Sequence, residues 1–143
     1  MAKSNGLSLT TLSIGDATNT LQDIRNDITN FTFTTPRGVQ DVTGLDKAAK
    51  EALLLLADFS FSPNGVFNPA ANFSHAVFST VPSTSVARAM TFTVNGKNLN
   101  QGTAGAGNGA ILFTDYGITR AAAGELTWTA PGVLANGAVP TWS

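Results

Sequence analysis

The sequence contains no cysteine. This excludes a disulfide framework, a thiolate nucleophile and any Cys-ligated metal site, and it suits folding in a reducing cytoplasm. Histidine is almost as scarce. His75 is the only one, so a Ser-His-Asp triad would have to be built on it. No G-x-S-x-G elbow accompanies it, and a half-buried helix histidine is the simpler reading. Transition-metal sites lack ligands for the same reason. Asp23 and Asp27, or Asp41 and Asp46, could be imagined as acid/base couples. Neither pair has companion residues, and they read as helix caps or solvated loop carboxylates. No D-x-[DN]-x-[DN]-G calcium loop is present. Gly102, Gly105, Gly107 and Gly109 suggest a phosphate loop, but Leu112 stands where the last glycine of G-x-G-x-x-G would fall. That segment also runs into a strand, so no helix N-terminus is offered to a phosphate. The sequence therefore points to a chain that is not an enzyme and uses no cofactor or metal.

Charge is the next shortage. Asp, Glu, Lys and Arg make up 12% of the 143 residues, against about 25% in ordinary soluble domains. The eight Lys and Arg are scattered and the net charge is −1, so no basic stripe speaks for tight nucleic-acid binding. The longest apolar run, Ala52 to Ala57, is far below the ~20 residues of a membrane span. No apolar leader region follows Met1, and residues 1–6 read as a flexible N-terminus without a secretory signal. A surface so poor in charge leaves sheet edges undefended. Burial of that surface against further copies of the chain accounts for this, and a neutral, Thr-rich exterior is the alternative.

What is present is period-two alternation. Leu7 and Leu9 fall on one face and Leu12 and Ile14 on the other, a strand with a bulge. Phe31 and Phe33 alternate with Asn30, Thr32 and Thr34. Ala57, Phe59 and Phe61 alternate with Asp58, Ser60 and Ser62. Val86, Arg88, Met90, Phe92 and Val94 share a face. Ala110 to Thr119 is apolar on both faces and reads as a central or doubly covered strand. Leu126, Trp128 and Ala130 form a further apolar face. Asn95-Gly96 is a hairpin turn, and Asn136-Gly137 a second turn before a short last strand, Ala138 to Trp142. Gly102 to Gly109 reads as a flexible loop within a Gly-rich 100–109 connection.

Two helices are expected within this pattern. Leu45, Ala48, Ala49, Ala52, Leu53 and Leu56 fall on one helical stripe, with Asp46 as N-cap. Asn68 as N-cap with Pro69 at the first position would start the second, bury Phe73, Ala76 and Val77, and end at Pro82. The fold expected is mainly β: an antiparallel β-sandwich or open barrel with one or two short α-helices packed on it, in a single domain spanning 1–143.

The stretch Asp27 to Asn68 carries a resemblance. It runs from the strand Asp27-Ile28-Thr29-Asn30-Phe31-Thr32-Phe33 through Asp41-Val42-Thr43-Gly44-Leu45 and Asp46-Lys47-Ala48-Ala49-Lys50. It continues as Asp58-Phe59-Ser60-Phe61-Ser62 and closes at Val66-Phe67-Asn68-Pro69. This resembles the major tail tube proteins of bacteriophages with long non-contractile tails, over residues ~7–142. Pro63 departs from the pattern, where a kink is expected, and so does the apolar run Leu53 to Leu56.

The resemblance implies a structural virion subunit, made in the host cytoplasm and located in the tail. Such subunits form hexameric rings that stack into a tube through which DNA is ejected without specific binding. Its implied partners are copies of itself, the tape measure protein and the tail terminator protein, with no membrane. It further implies that a loop-helix arm over 36–57 reaches a neighbour, with the contact made by Arg37, Gly38, Val39, Gln40, Asp41, Val42, Thr43, Gly44 and Leu45. A capsid decoration or head–tail joining protein shares this composition. A carbohydrate-binding sandwich using Tyr116, Trp128 and Trp142 is the reading from a different class.

Overall fold

The computed structural model describes residues 3–143. Two antiparallel sheets pack face to face. The first is built from β1 (Leu9–Gly15), β2 (Leu21–Asp23), β7 (Met90–Val94), β8 (Lys97–Gln101) and β13 (Thr141–Trp142), in the order β13-β8-β7-β1-β2. The second contains β6 (Ser60–Val66), β9 (Ile111–Phe113), β10 (Gly117–Arg120), β11 (Leu126–Thr129) and β12 (Gly132–Leu134), in the order β10-β11-β6-β12-β9, with β3 (Ile28–Thr34) on the other edge of β6. A lone bridge between Arg88 and Ile111 joins the segment before β7 to β9, so one side of the sandwich is partly closed, as in an open barrel. The mainly β, antiparallel architecture expected from the alternation is the one observed.

The alternation selects the core. Leu12, Ile14, Met90 and Leu99 face inward from the first sheet, and Phe59, Phe61, Phe113 and Trp128 from the second; all are buried. Phe92 inserts between Phe31 and Phe33, with edge-on ring separations of 5.6 and 5.3 Å. Trp128 donates its indole N–H to the Val66 carbonyl at 2.9 Å, so the largest core side chain carries no unpaired donor. The Leu9/Thr11 register shift is the anticipated bulge in β1. Asn95 and Gly96 have φ of 48° and 76°, the left-handed pair that a two-residue hairpin turn needs.

Pro63 does not break β6, which pairs in regular register with β3 from Ser60 to Asn64; the register shifts only beyond it, between Asn30 and Ile28 of β3. The Pro63 carbonyl accepts from Ala130 N at 3.2 Å. The side of β6 where the proline lacks an N–H therefore faces the break between β11 and β12, where no ladder donor is called for.

Four sequence expectations are corrected. The helix over Leu45–Leu56 does not exist: β4 (Arg37–Asp41) and β5 (Ala52–Ala57) form a two-stranded hairpin there. A helical stripe drawn through a stretch rich in Leu and Ala also fits a short apolar strand, and periodicity cannot separate them. The second helix is only α1 (Ser74–Phe78). Asn68 instead receives Ala70 N on its side chain in a turn, and Phe73 is the N-cap. Ala76 is exposed and Phe78 buried. The span Ala110–Thr119 divides at Thr114–Tyr116 into β9 and β10, and β9 is an edge strand whose Leu112 faces out, 39% exposed. Finally, the Gly102–Gly109 loop is tied down. Buried Asn19, at φ 56°, donates its amide to the carbonyls of Thr103 and Gly105 and accepts from Ala89 N.

The buried charges serve α1. The Asp27 carboxylate accepts Ser74 N at 3.0 Å and the Asn68 amide at 2.9 Å. At the other end the Arg88 guanidinium donates to the Val77 carbonyl, to Gly15 O at 3.3 Å and to Thr80 Oγ1 at 3.1 Å. An anion thus sits at the N-terminus and a cation at the C-terminus, where the orphan backbone groups of a helix favour them. Burial pushes the Arg88 pKa down, and the charge of nearby Asp16 opposes that.

Candidate assembly interface

β3 and β6 are neighbours, with Thr34 opposite Ser60. The β4–β5 hairpin is the distal half of the same ribbon, carried beyond the sandwich. Its base is pinned where Asp58 N donates to Pro36 O at 2.9 Å and Arg37 Nε donates to Leu55 O at 2.9 Å. Its register sets Val39 against Leu54, Gln40 against Leu53 and Asp41 against Ala52. Past the strands, Val42 N donates to Glu51 O at 3.0 Å, and Thr43 Oγ1 accepts Glu51 N at 2.8 Å. The Asp41 carboxylate accepts the hydroxyl and the N–H of Thr43, which hold its pKa below the usual carboxylate range. Gly44 and Lys47 close the tip, with Lys47 N donating to Gly44 O at 3.2 Å.

Among the described residues the β4–β5 hairpin has no third strand, and an isolated two-stranded hairpin is marginal in water. Its apolar side chains are nonetheless bare. Leu45 at the tip is fully exposed, Val39 is 63% exposed, and Leu53, Leu54 and Leu56 are 56%, 61% and 89% exposed. Leu53 and Leu54 lie on opposite faces, because successive strand residues alternate. Apolar groups therefore project from both faces of the arm, which makes it the candidate interaction surface of the subunit.

The arm residues singled out in the sequence, Arg37 to Leu45, form β4, its turn and its tip. They supply the backbone register and Val39, Val42 and Leu45. The other half of the apolar surface, Leu53–Leu56, is the part that sequence reasoning placed in a helix. Its unbroken leucine run, following a turn-forming Asp-Val-Thr-Gly, was the available signal for a hairpin strand.

A second surface has the opposite character. Cross-strand registers place Thr11, Ser13, Thr91, Thr93, Asn98, Asn100 and Thr141 together on the outer face of the first sheet. Thr93 and Asn98 share a 2.7 Å side-chain hydrogen bond there. Asp23, on the edge strand β2 beside Ser13, is the charged residue in these rows, and Arg25 lies 3.6 Å from it. The face is a wall of hydroxyls and amides without a cationic patch.

The other residues singled out do not converge on a site. Among the described residues no group of three or more His, Cys, Asp or Glu is placed to hold a metal. His75 Nδ1 lies 3.3 Å from the Tyr116 hydroxyl on a half-buried aromatic ledge with Phe67. Burial raises the Tyr116 pKa. Trp128 is buried in the core while Trp142 packs beside Phe33 and Phe92, so Tyr116, Trp128 and Trp142 form no shared stacking platform. Among the described residues no helix is long and apolar enough to cross a membrane.

No protein-family model matches the chain, and no curated protein does. Solved structures do. A chain of the virion of a native gene transfer agent particle superposes with a TM-score of 0.73 at 16% identity, covering 99% of both chains. A chain from the tail of an empty gene transfer agent particle, refined with C6 symmetry, matches with a TM-score of 0.73 at 15% identity, again over 99% of both. At that identity the likeness is one of fold, and it extends over the whole chain: this protein has the fold of a chain found in the tail of a gene transfer agent particle.

Proposed function

We propose that the chain is a structural subunit of a phage-type tail that assembles with itself into stacked six-membered rings, forming a tube for DNA ejection. The observation that carries this is the bare apolar arm, on a fold shared end to end with a chain of a C6-symmetric tail. Burial against neighbouring copies removes the arm's leucines from water. The unpaired sheet edges, a hazard in a monomer, become joining surfaces in a closed ring. The uncharged outer face of the first sheet suits the inner wall: without clustered Lys or Arg, a passing DNA strand gains no counterion-release energy and slides without sticking. The tube would be non-contractile, would end at a terminator protein and would enclose a tape measure protein. Catalysis has no part in this reading.

Electron microscopy of the purified chain tests it. Rings or hollow tubes with six-fold symmetry are expected. A chain that stays monomeric at every concentration and salt, alone and with a tail initiator, would refute it.

A further inference from the structure

The two ends of the arm are complementary to each other. At the base, Pro36, Leu54–Leu56 and Val139 wall an open apolar groove of about 1100 Å³, edged by Arg37 and Asp58. That volume takes a turn of chain and not merely one side chain. At the tip, Leu45 stands clear of the protein, with Asp46 next to it in the chain and Lys50 in the same loop. Lys47 is paired with Glu51 at 3.4 Å, whereas Asp46, Lys50, Arg37 and Asp58 make no ion pair among the described residues. The tip thus offers an apolar knob with one anion and one cation in its loop, and the groove an apolar slot with one cation and one anion in its lining.

We propose that the arm tip of one copy seats in the arm-base groove of another, with Leu45 in the slot, Asp46 toward Arg37 and Lys50 toward Asp58. This rests on the self-assembly reading above and specifies which surfaces mate. The tip cannot fill its own groove, because at about 3.3 Å per residue the strand holds the two ends more than 15 Å apart. Two different patches make the contact head-to-tail, so each copy that receives a tip also offers one. The contact leaves no copy self-satisfied, as a growing structure requires.

The absence of cysteine makes the test clean. The double variant Leu45→Cys, Val139→Cys is concentrated, assembled and oxidised. Disulfide-linked ladders of dimers, trimers and higher species are expected on non-reducing gels. A mixture of the two single variants should stop at dimers. Reversing one rim charge, Asp46→Arg, should slow cross-linking roughly fivefold, and adding Arg37→Asp should restore the rate. Rings or tubes in the microscope without cross-links overturn this pairing and leave self-assembly standing. Monomers by sedimentation without cross-links overturn both.

Discussion

If the proposed assembly holds, the arm leucines contribute to it and almost nothing to the subunit, and the double substitution Leu53→Ser, Leu54→Ser separates the two. In the subunit these side chains are 56% and 61% exposed. Full burial of a leucine is worth about 1.5–3 kcal/mol, so covering the exposed part contributes about 1–1.5 kcal/mol each. For the pair that is about 2–3 kcal/mol per contact. At 1.4 kcal/mol per factor of ten, the concentration at which the chain assembles should rise roughly 30- to 150-fold. The subunit's own stability should move by about 0.5 kcal/mol or less, as for other exposed substitutions. Sedimentation across a concentration series measures the first quantity and urea denaturation of the dilute chain the second. An unchanged assembly threshold would refute the reasoning. So would a large drop in the urea midpoint, which would place the leucines against the chain's own core.

Three further perturbations address the arm and its support. Replacing 37–57 with a short Gly-Ser link between Pro36 and Asp58, whose backbones already meet at 2.9 Å, should leave a folded, soluble sandwich by circular dichroism that forms no tubes by electron microscopy. Asn19→Ala removes three hydrogen bonds and puts alanine at φ 56°. A loss of about 2–4 kcal/mol is expected, with faster amide exchange at Thr103 to Asn108. Asp16 titrates below the usual carboxylate range: burial raises its pKa, but hydrogen bonds from Thr18, Thr20 and Gln22 outweigh that. A depressed folded pKa gives stability that is present above the unfolded value near 4 and lost as pH falls through the folded one. The stability gap between the native chain and Asp16→Asn should therefore be constant near neutrality and shrink in acid below about pH 4. A gap independent of pH down to 2 would contradict this.

How far the sequence could be read depends on what each segment packs against. Strands whose one face meets the core, such as Ile28–Thr34 and Met90–Val94, show clean alternation, because burial on one side and water on the other impose period two. Turns with demanding dihedrals, such as Asn95-Gly96, show in the residues that tolerate them. The arm failed as a secondary-structure reading because it meets no core within the chain. Its apolar residues lie on both faces, so no single-subunit periodicity is written into them. Asn19 was missed for another reason: a polar residue in a turn-like Asp16–Thr20 segment looks like surface, and only the fold brings Thr103, Gly105 and Ala89 to it. The buried Arg88 was placed on the inward face by alternation, but its partners, the Gly15 and Val77 carbonyls and the Thr80 hydroxyl, come from two separate segments.

The distribution of charge fits a subunit that must wait before it assembles. Of the 17 charged residues in the chain, seven lie between Pro36 and Asp58: Arg37, Asp41, Asp46, Lys47, Lys50, Glu51 and Asp58. Two more, Asp27 and Arg88, are buried at the ends of α1. The remaining eight are spread thinly over the rest of the chain, while the segment with the most exposed leucine is dense in charge. Charges beside an apolar strand oppose indiscriminate pairing, since a wrong partner must bury or oppose them. A correct partner matches them in sign and position. The same residues that keep a bare ribbon in solution thereby restrict what it can dock with, and the proposed ordered assembly through a two-stranded β-ribbon needs both properties.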